Sequence, residues 1–345
     1  MKKLLGLLVL IVVLLVSACG RPSSTNSSGE TKNGENKGNE KYVIRIAHLV
    51  PEEQSTHVAA LSFKKNVEER SNGRIEVQIY ANGSLYPSDR EAIEAVQLGN
   101  IEMTIPAVAP LASFNKKFMV FDLPFLFNSN EAAYKTLDGE VGQLLLKDLE
   151  NNDLKGLAFA ENGFRHMSNN KGPIESPSDL AGSKFRTLEN PVHTDTFKSF
   201  GANASPFSFG ELYTALQQKT YDAMECPISL YYLNKFYEVQ DYLTLSGHVY
   251  AATILLMNND FYNKLPEDLQ KIVMDASKDY QTEQREIAQK QDVEFLDKLK
   301  ENGMKVNELT DNQKDAFREA SKAIYDKYTS EIGKDIVTKA LEANK

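Results

Sequence analysis

Cysteine is scarce in this chain of 345 residues, which contains only Cys19 and Cys226. The sequence also lacks the patterns that mark common catalytic and nucleotide-binding sites: HExxH, GxSxG, the P-loop, GxGxxG after a strand, and the EF-hand loop. Its five histidines do not have the spacing of metal ligands. We therefore predict no enzymatic activity, no metal and no cofactor.

An excess of basic residues is missing as well, since the formal net charge is −9. Nucleic acids bind to basic surfaces, so this balance argues against a nucleic-acid partner. It does not exclude an anionic small molecule, because the charge of a pocket is set locally and not by the sum over the chain.

The first residues have the features of a bacterial lipoprotein signal. Lys2 and Lys3 precede an apolar run over 4–16, and the lipobox-like VSAC ends at Cys19. As a helix this run would span about 20 Å, less than the apolar core of a bilayer at about 30 Å. We expect 1–18 to be a signal peptide and Cys19 to be lipidated. A plain signal peptide with an incidental cysteine is the alternative.

The segment 19–40 is predicted to be a lipidated cysteine followed by a flexible tether. After Cys19 the segment has no aromatic or branched apolar side chain, so it cannot bury enough surface to offset the entropy of ordering. The protein is then expected outside the cytoplasm and anchored to the cell membrane by lipid, and a Gram-positive source fits this arrangement. Cys226 would remain as the only other thiol, which excludes an intrachain disulfide.

The pattern after residue 40 predicts alternating strands and helices. Strands are expected at 42–47, 74–80, 101–107, 154–160, 164–168, 184–188 and 221–226. One helix is expected between a cap at Ser55 or Thr56 and a stop at 71–73, and others at 89–98 and 192–200. Capping boxes are expected at Ser88/Glu91 and at Ser208/Glu211, where a further helix opens. This order favours an open, largely parallel sheet.

A much longer helix is predicted near the end of the chain. The segment 266–302 has no proline after its first residue and no glycine, and Gly303 ends it. Such a helix would be roughly 54 Å long, which exceeds one small domain. Its apolar residues do not keep a heptad, so we expect it to bridge two lobes and not to form a coiled coil.

Two arginines stand within apolar strands. Arg165 lies in GFRHMS and Arg186 in GSKFRT. A guanidinium in such a strand needs a partner, and its planar fork matches a carboxylate with two hydrogen bonds. A surface position is the alternative that composition leaves open.

The stretch from Asp179 to His248 resembles the DctP family, the solute-binding proteins of TRAP transporters. The shared motifs are GSKFR, FSFGELYTALQ, YDAMECP and KFYEVQDYLTLSGH, with GRIEV, AVQLGNIEM and FDLPFLF upstream. The similarity covers 42 to 300. It implies a type II-like α/β clamshell with mixed sheets flanked by helices, a long helix across both lobes, and a ligand cleft between them. The lobes would be 41–162 plus 251–291 and 163–250 plus 292–345.

The resemblance also implies a function and a set of site residues. The cleft would capture a small organic acid and deliver it to the membrane subunits of a TRAP transporter, with the binding protein acting as a monomer. A C4-dicarboxylate is the default ligand, and a sugar acid or other monocarboxylate is the alternative. Arg186 would pair with the ligand carboxylate, Arg165 would be a second arginine of the site, and Phe209 would lie against the carbon skeleton.

One family motif is altered in this sequence. The family pattern D-G-x-E-N reads Asp-Ala-Met-Glu-Cys here, so Cys226 stands where an asparagine hydrogen-bonds the carboxylate. A thiol is a weak donor, which weakens that contact. Candidates on the opposite lobe are His48, Glu53, Ser84 and Arg90, the last of which could meet a second carboxylate.

Three other functions remain as alternatives. The first is an enzyme that uses Cys226 with His248, the second is a sensor or adaptor that reports to a membrane kinase, and the third is an interaction lipoprotein without a small ligand.

Overall fold

The computed structural model describes residues 40–345. The predicted signal peptide, Cys19 and the tether up to residue 39 lie outside the described residues. The strands are β1 (Tyr42–Ala47), β2 (Ile75–Tyr80), β3 (Met103–Thr104), β4 (Leu154–Asn169), β5 (Lys184–Thr187), β6 (Asn203–Pro206), β7 (Ala223–Pro227), β8 (Tyr242–Asn258) and β9 (Lys305–Glu308). The helices are α1 (Ser55–Arg70), α2 (Asp89–Gln97), α3 (Asn130–Asp138), α4 (Glu140–Asp148), α5 (Pro191–Ser199), α6 (Leu212–Gln217), α7 (Ile228–Leu233), α8 (Asn259–Lys264), α9 (Glu267–Glu301), α10 (Asp311–Ala320), α11 (Lys322–Ile332) and α12 (Lys334–Glu342).

Two long antiparallel strands, β4 and β8, connect the two halves of one mixed sheet. The strand order is β2-β1-β3-β8-β4-β7-β5-β6, with β9 added to β8. On one side β1 lies parallel to β2 and β3, and on the other β5 lies parallel to β6 and β7. This arrangement confirms the predicted α/β fold with two lobes, each built on its own half of the sheet.

Two strand predictions differ from the structure for local reasons. The strand expected at 101–107 is regular over 103–104 only, with an isolated bridge from Ala107 to Thr253, since Pro106 has no amide hydrogen to donate. The two strands expected at 154–160 and 164–168 are one continuous strand, β4. Its bend is absorbed at Gly163, whose φ of +93° lies in the region that glycine tolerates.

The second predicted capping box does not form. Ser88 caps α2 as expected and accepts a hydrogen bond from the amide of Glu91. The hydroxyl of Ser208, however, donates to the carbonyl of Pro87 at 2.9 Å, and α6 begins at Leu212. A tertiary partner thus replaces the local one, because a serine side chain bonds to whichever backbone group is near.

The predicted long helix is confirmed as α9, and it contributes to two separate cores. Its first half buries Leu269, Val273, Ala276 and Tyr280 in a cluster with side chains of β1, β2 and α1. Its second half buries Phe295 and Leu299 in a cluster with side chains of β7 and α7. The helix therefore spans both lobes.

The packing bears on the predicted lobe boundaries in two ways. The pairing of β4 with β8 shifts register between Glu161 and Gly163, next to the predicted boundaries at 162 and 250. A hinge at this point stays a prediction. Apolar side chains of α11 and α12, which belong to the predicted second lobe, join the core that contains α3 and α4.

Two carboxyl groups, those of Glu161 and Asp292, lie next to this irregularity, and within 40–345 neither forms an ion pair. Glu161 is fully buried, and one of its oxygens accepts a hydrogen bond from Tyr134. Asp292 of α9 lies so close to β4 that a Cβ on Gly163 would be 2.7 Å from its Oδ2. Burial raises the pKa of Glu161 to about 7 and that of Asp292 to about 8, and the charge of Glu161 adds to the shift at Asp292. Arg285, which partly opposes the shift at Glu161, is ion-paired with Asp138.

These raised pKa values predict how stability depends on pH. In the folded state these two carboxyl groups keep protons that the unfolded chain releases near pH 4. Their contribution to stability is therefore complete below about pH 4 and is lost as the pH rises through their pKa values in the folded state. We expect the melting temperature to fall between about pH 5.5 and about pH 8.5, and to fall less in Asp292→Asn. The exposed Asp297→Asn on the same helix is the control and should keep the wild-type slope. An unchanged slope in Asp292→Asn would contradict the assignment.

Candidate functional site

A cavity of about 40 Å³ lies beside the long strands, and both predicted lobes contribute to its wall. From the first lobe the lining residues are Leu49, Val50, Thr56, Asp89, Ile105, Ala107, Asn162 and Thr253. From the second they are Arg165, Leu188, Phe209, Cys226 and Leu230. The structure thus brings together Arg165, Phe209 and Cys226 of the sequence-predicted site.

Arg186 lies behind this wall as a buried cation with an unused donor. It sits on β5 with 1% of its surface exposed. Its Nε and Nη2 donate to the carbonyl oxygen of Phe207 at 2.9 and 2.8 Å, while Nη1 has no hydrogen-bond partner among the described residues. Its Cζ lies 5.9 Å from the centre of the Phe209 ring. Burial lowers the pKa of Arg186 to about 10, so it is positively charged at neutral pH.

Arg165, in contrast, is fully committed to a protein carboxylate. The pairing of β4 with β7 places it beside Glu225. Its Nη2 donates to Oε1 of Glu225 at 2.9 Å and to the carbonyl of the same residue at 2.8 Å, and Nε donates to Oε2. Burial alone would raise the pKa of Glu225, but the charge of Arg165 and the nearby ring of His248 hold it well below its usual range. Both groups are therefore charged, and the net charge of the pair is zero.

A network of polar side chains extends from Glu225 to the other half of the molecule. His248 Nε2 lies 3.4 Å from Oε2 of Glu225, and His193 Nδ1 lies 3.9 Å from Oε1. The Nε2 of His193 is 2.8 Å from Asp122, which also accepts a hydrogen bond from Asn190 at 2.8 Å. Sequence reasoning assigned no role to Glu225, Asp122 or His193. The one sequence signal for Glu225 was the position of its carboxylate within the apolar run AMECP, where a charged group needs a partner.

Cys226 does not have the surroundings of a nucleophile. It is fully buried on β7, and burial raises the pKa of its thiol well above the usual value. The thiolate is the reactive form, so a raised pKa makes the group inert. His248 is directed to Glu225 and to the hydroxyl of Ser246, at 2.7 Å from its Nδ1. The enzyme alternative thus has no activated pair here.

The remaining predicted residues do not line the cavity. His48 is buried and lies 3.0 Å from His57, and burial together with that neighbour lowers the pKa of His48 to about 4. Glu53 and Ser84 are exposed. Arg90 is exposed as well and forms an ion pair with Glu94 at 2.9 Å.

Asp89, the residue before Arg90, is an acidic lining residue that was not predicted from the sequence. Its Oδ2 accepts a hydrogen bond from the amide of Ala107 at 3.3 Å. Burial raises the pKa of Asp89 to about 7, although Arg186 acts in the opposite direction. The capping motif located the first turn of α2, but only tertiary structure shows which of its side chains turns inward.

The described part of the chain shows no other kind of site. Within 40–345, no group of three or more His, Cys, Asp or Glu side chains is arranged to hold a metal ion. Over the same residues, none of the helices has the length and hydropathy that crossing a bilayer requires.

Comparisons with known proteins agree on one family. The pattern of the bacterial extracellular solute-binding proteins of family 7, DctP, matches residues 46–331. The C4-dicarboxylate-binding protein DctB of Bacillus subtilis (strain 168) is 32% identical over 349 residues, which span 100% of this chain and 99% of that protein.

Solved structures give the same result. The sugar acid binding protein DctPAm of Advenella mimigardefordensis, in complex with galactonate, has a TM-score of 0.86 and 37% identity over 88% of this chain and 98% of that one. A TRAP periplasmic solute-binding protein of Sulfurospirillum deleyianum with bound succinate has a TM-score of 0.84. It is 37% identical to this chain, and the match covers 89% of this chain and 100% of that one. Such proteins are extracytoplasmic transport receptors for small organic acids, work with TRAP membrane subunits and are not enzymes. This chain belongs to family 7 of the bacterial extracellular solute-binding proteins, the DctP receptors of TRAP transporters.

Proposed function

We propose that this protein captures a small organic acid by pairing its carboxylate with Arg186, and delivers it to the membrane subunits of a TRAP-type secondary transporter. The observation that carries the proposal is the buried guanidinium of Arg186. Within 40–345 no carboxylate forms an ion pair with it, and its Nη1 is an open donor. A charge in such a position is costly unless an anion accompanies it, and a carboxylate matches the guanidinium fork.

Closure of the two lobes around the acid follows from the lining of the cavity. Both predicted lobes contribute to its wall, so a ligand contacts both only when they are together. That difference in contacts selects the closed form. Phe209 lies beside Arg186 and would pack on the carbon skeleton next to the carboxylate. As a neutral thiol, Cys226 would contribute shape and a weak donor at the same wall.

The proposed role includes the predicted lipid anchor. A lipidated Cys19 and a tether over 20–40 would keep the binding protein near the transporter, with two acyl chains giving stable attachment. This part of the proposal depends on the sequence alone, namely on the apolar run and the VSAC motif.

Arg186→Ala tests the central contact. We expect affinity for the bound acid to fall by about 2–5 kcal/mol, the usual cost of removing one partner of a buried charge pair. The ligand for this test is the acid that raises the melting temperature most in a screen of organic acids, and affinity is measured by titration calorimetry. Arg90→Ala is the control and should bind as the wild type, since Arg90 is exposed and paired with Glu94. Near-unchanged affinity in Arg186→Ala would overturn the proposal.

Glu225→Gln tests whether the second arginine is held by the protein and not by the ligand. The substitution leaves the guanidinium of Arg165 buried without a counter-charge. We expect the free energy of unfolding in urea, without ligand, to fall by about 3–5 kcal/mol. The exposed Glu94→Gln should stay within about 0.5 kcal/mol of the wild type. If both variants were equally stable, the pair would not carry the structural role assigned to it.

A further inference from the structure

We infer that the ligand is a monocarboxylate with a chain of hydroxyl groups, as an aldonic acid is, and that Asp89 and the hydroxyls of Thr56 and Thr253 select it over a dicarboxylate. The inference rests on the proposed function, because it takes the carboxylate of the ligand to be held by Arg186.

The charges around the cavity leave a single positive charge for the ligand. The charge of Arg165 is balanced by Glu225 through a buried ion pair. Arg186 has no such partner in the described part of the chain. Arg90, which might have supplied a second cation, is directed to Glu94 on the surface. One ligand carboxylate therefore balances the only uncompensated positive charge among the arginines named here.

The wall on the side of the first lobe carries neutral hydroxyls that lack partners. Thr56 and Thr253 both line the cavity and are 1% and 3% exposed. In each, Oγ1 is buried without a hydrogen-bond partner among the described residues. Buried hydroxyls are normally paired, so two unpaired ones in one wall indicate that a polar ligand group meets them. Ligand hydroxyls can donate to and accept from these groups.

Asp89 makes the same wall unfavourable for a second carboxylate. It lines the cavity, and its Oδ2 is held by the amide of Ala107. No hydrogen bond from the described residues reaches its Oδ1, which can therefore accept one from a ligand hydroxyl. Because its pKa is about 7, Asp89 is partly ionised at neutral pH, and a second anion nearby would be repelled by the ionised form. The second anion would also lose its hydration without gaining a cation.

Two pairs of acids test this selectivity because the members differ only at the far end. D-Erythronate and meso-tartrate share their carbon chain and inner hydroxyls, as do D-galactonate and galactarate, but the second acid of each pair has a carboxylate in place of the terminal CH2OH. Calorimetry on the full chain should show the monoacid bound by about tenfold or more over the diacid in whichever pair binds. The Asp89→Asn variant should narrow that ratio through tighter binding of the diacid.

Thr253→Val supplies an independent readout. We expect it to weaken binding of the monoacid by about fivefold or more, with no loss of melting temperature, because the substitution removes a hydroxyl that the protein leaves unpaired. Thr196→Val is the matched control. Thr196 is equally buried and its hydroxyl is also unpartnered, but it does not line the cavity. Thr196→Val should bind the monoacid with the affinity of the wild type.

The outcomes separate this inference from the function on which it rests. If the diacids bind as well as the monoacids or better, or if succinate is the acid that binds most tightly in the wider screen, the inference is wrong and the proposed function stands. An unchanged ratio in Asp89→Asn also overturns it. If no acid of the screen binds, or if Arg186→Ala binds like the wild type, the proposed function fails.

Discussion

The ion pair between Arg165 and Glu225 fixes how much positive charge the cleft can present. Arg165 and Arg186 lie on the two strands that flank β7, and they would otherwise repel each other in a place where water cannot screen them. Glu225 balances one, and the pairing of β4 with β7 sets the geometry of the contact. The other, Arg186, is left with its charge and one donor uncommitted. Removal of Glu225 would therefore change the site without touching a residue proposed to contact the ligand.

Three long elements, the strands β4 and β8 and the helix α9, pass from one half to the other. The chain also returns to the first half at α11 and α12, whose apolar side chains share a core with α3 and α4. A register shift and Gly163 interrupt the strand pairing where β4 crosses. The chain after residue 19 has one cysteine, so no disulfide within it restrains this region. Stability must come from the cores, and flexibility from the short segments between them.

Local patterns in the sequence predicted the elements well but not their tertiary roles. The absence of internal proline and glycine from 266–302 was sufficient to predict α9, because a helix can be recognised within one uninterrupted segment. The apolar run of β8 was not recognised as a strand, although it pairs with β4 along nearly its whole length. Ser208 bonds to Pro87 and not to its own helix, and α11 and α12 return to the first core. These contacts join residues far apart in sequence, so no local pattern encodes them.

The same limit applies to the site. Arg165, Arg186, Phe209 and Cys226 stand in motifs that a family resemblance can locate. Three of them line one cavity, and Arg186 lies beside Phe209. Thr56, Asp89 and Thr253 come from three separate elements of the first half, and nothing in their local sequence distinguishes them from surface residues. Only the fold shows that they face the same cavity.

The division of polar groups between the two walls explains how closure can depend on the ligand. The second lobe supplies the positive charge through Arg186, and the first lobe supplies hydroxyls and Asp89. Closing the lobes without a ligand would bury the guanidinium without an anion and the two threonines without partners, and each of these has a cost. An acid that lacks the hydroxyls would satisfy one wall only, and a polyol without the carboxylate would satisfy only the other. Because the closed form is favoured when both walls are satisfied, selection of the ligand and closure of the cleft are one event.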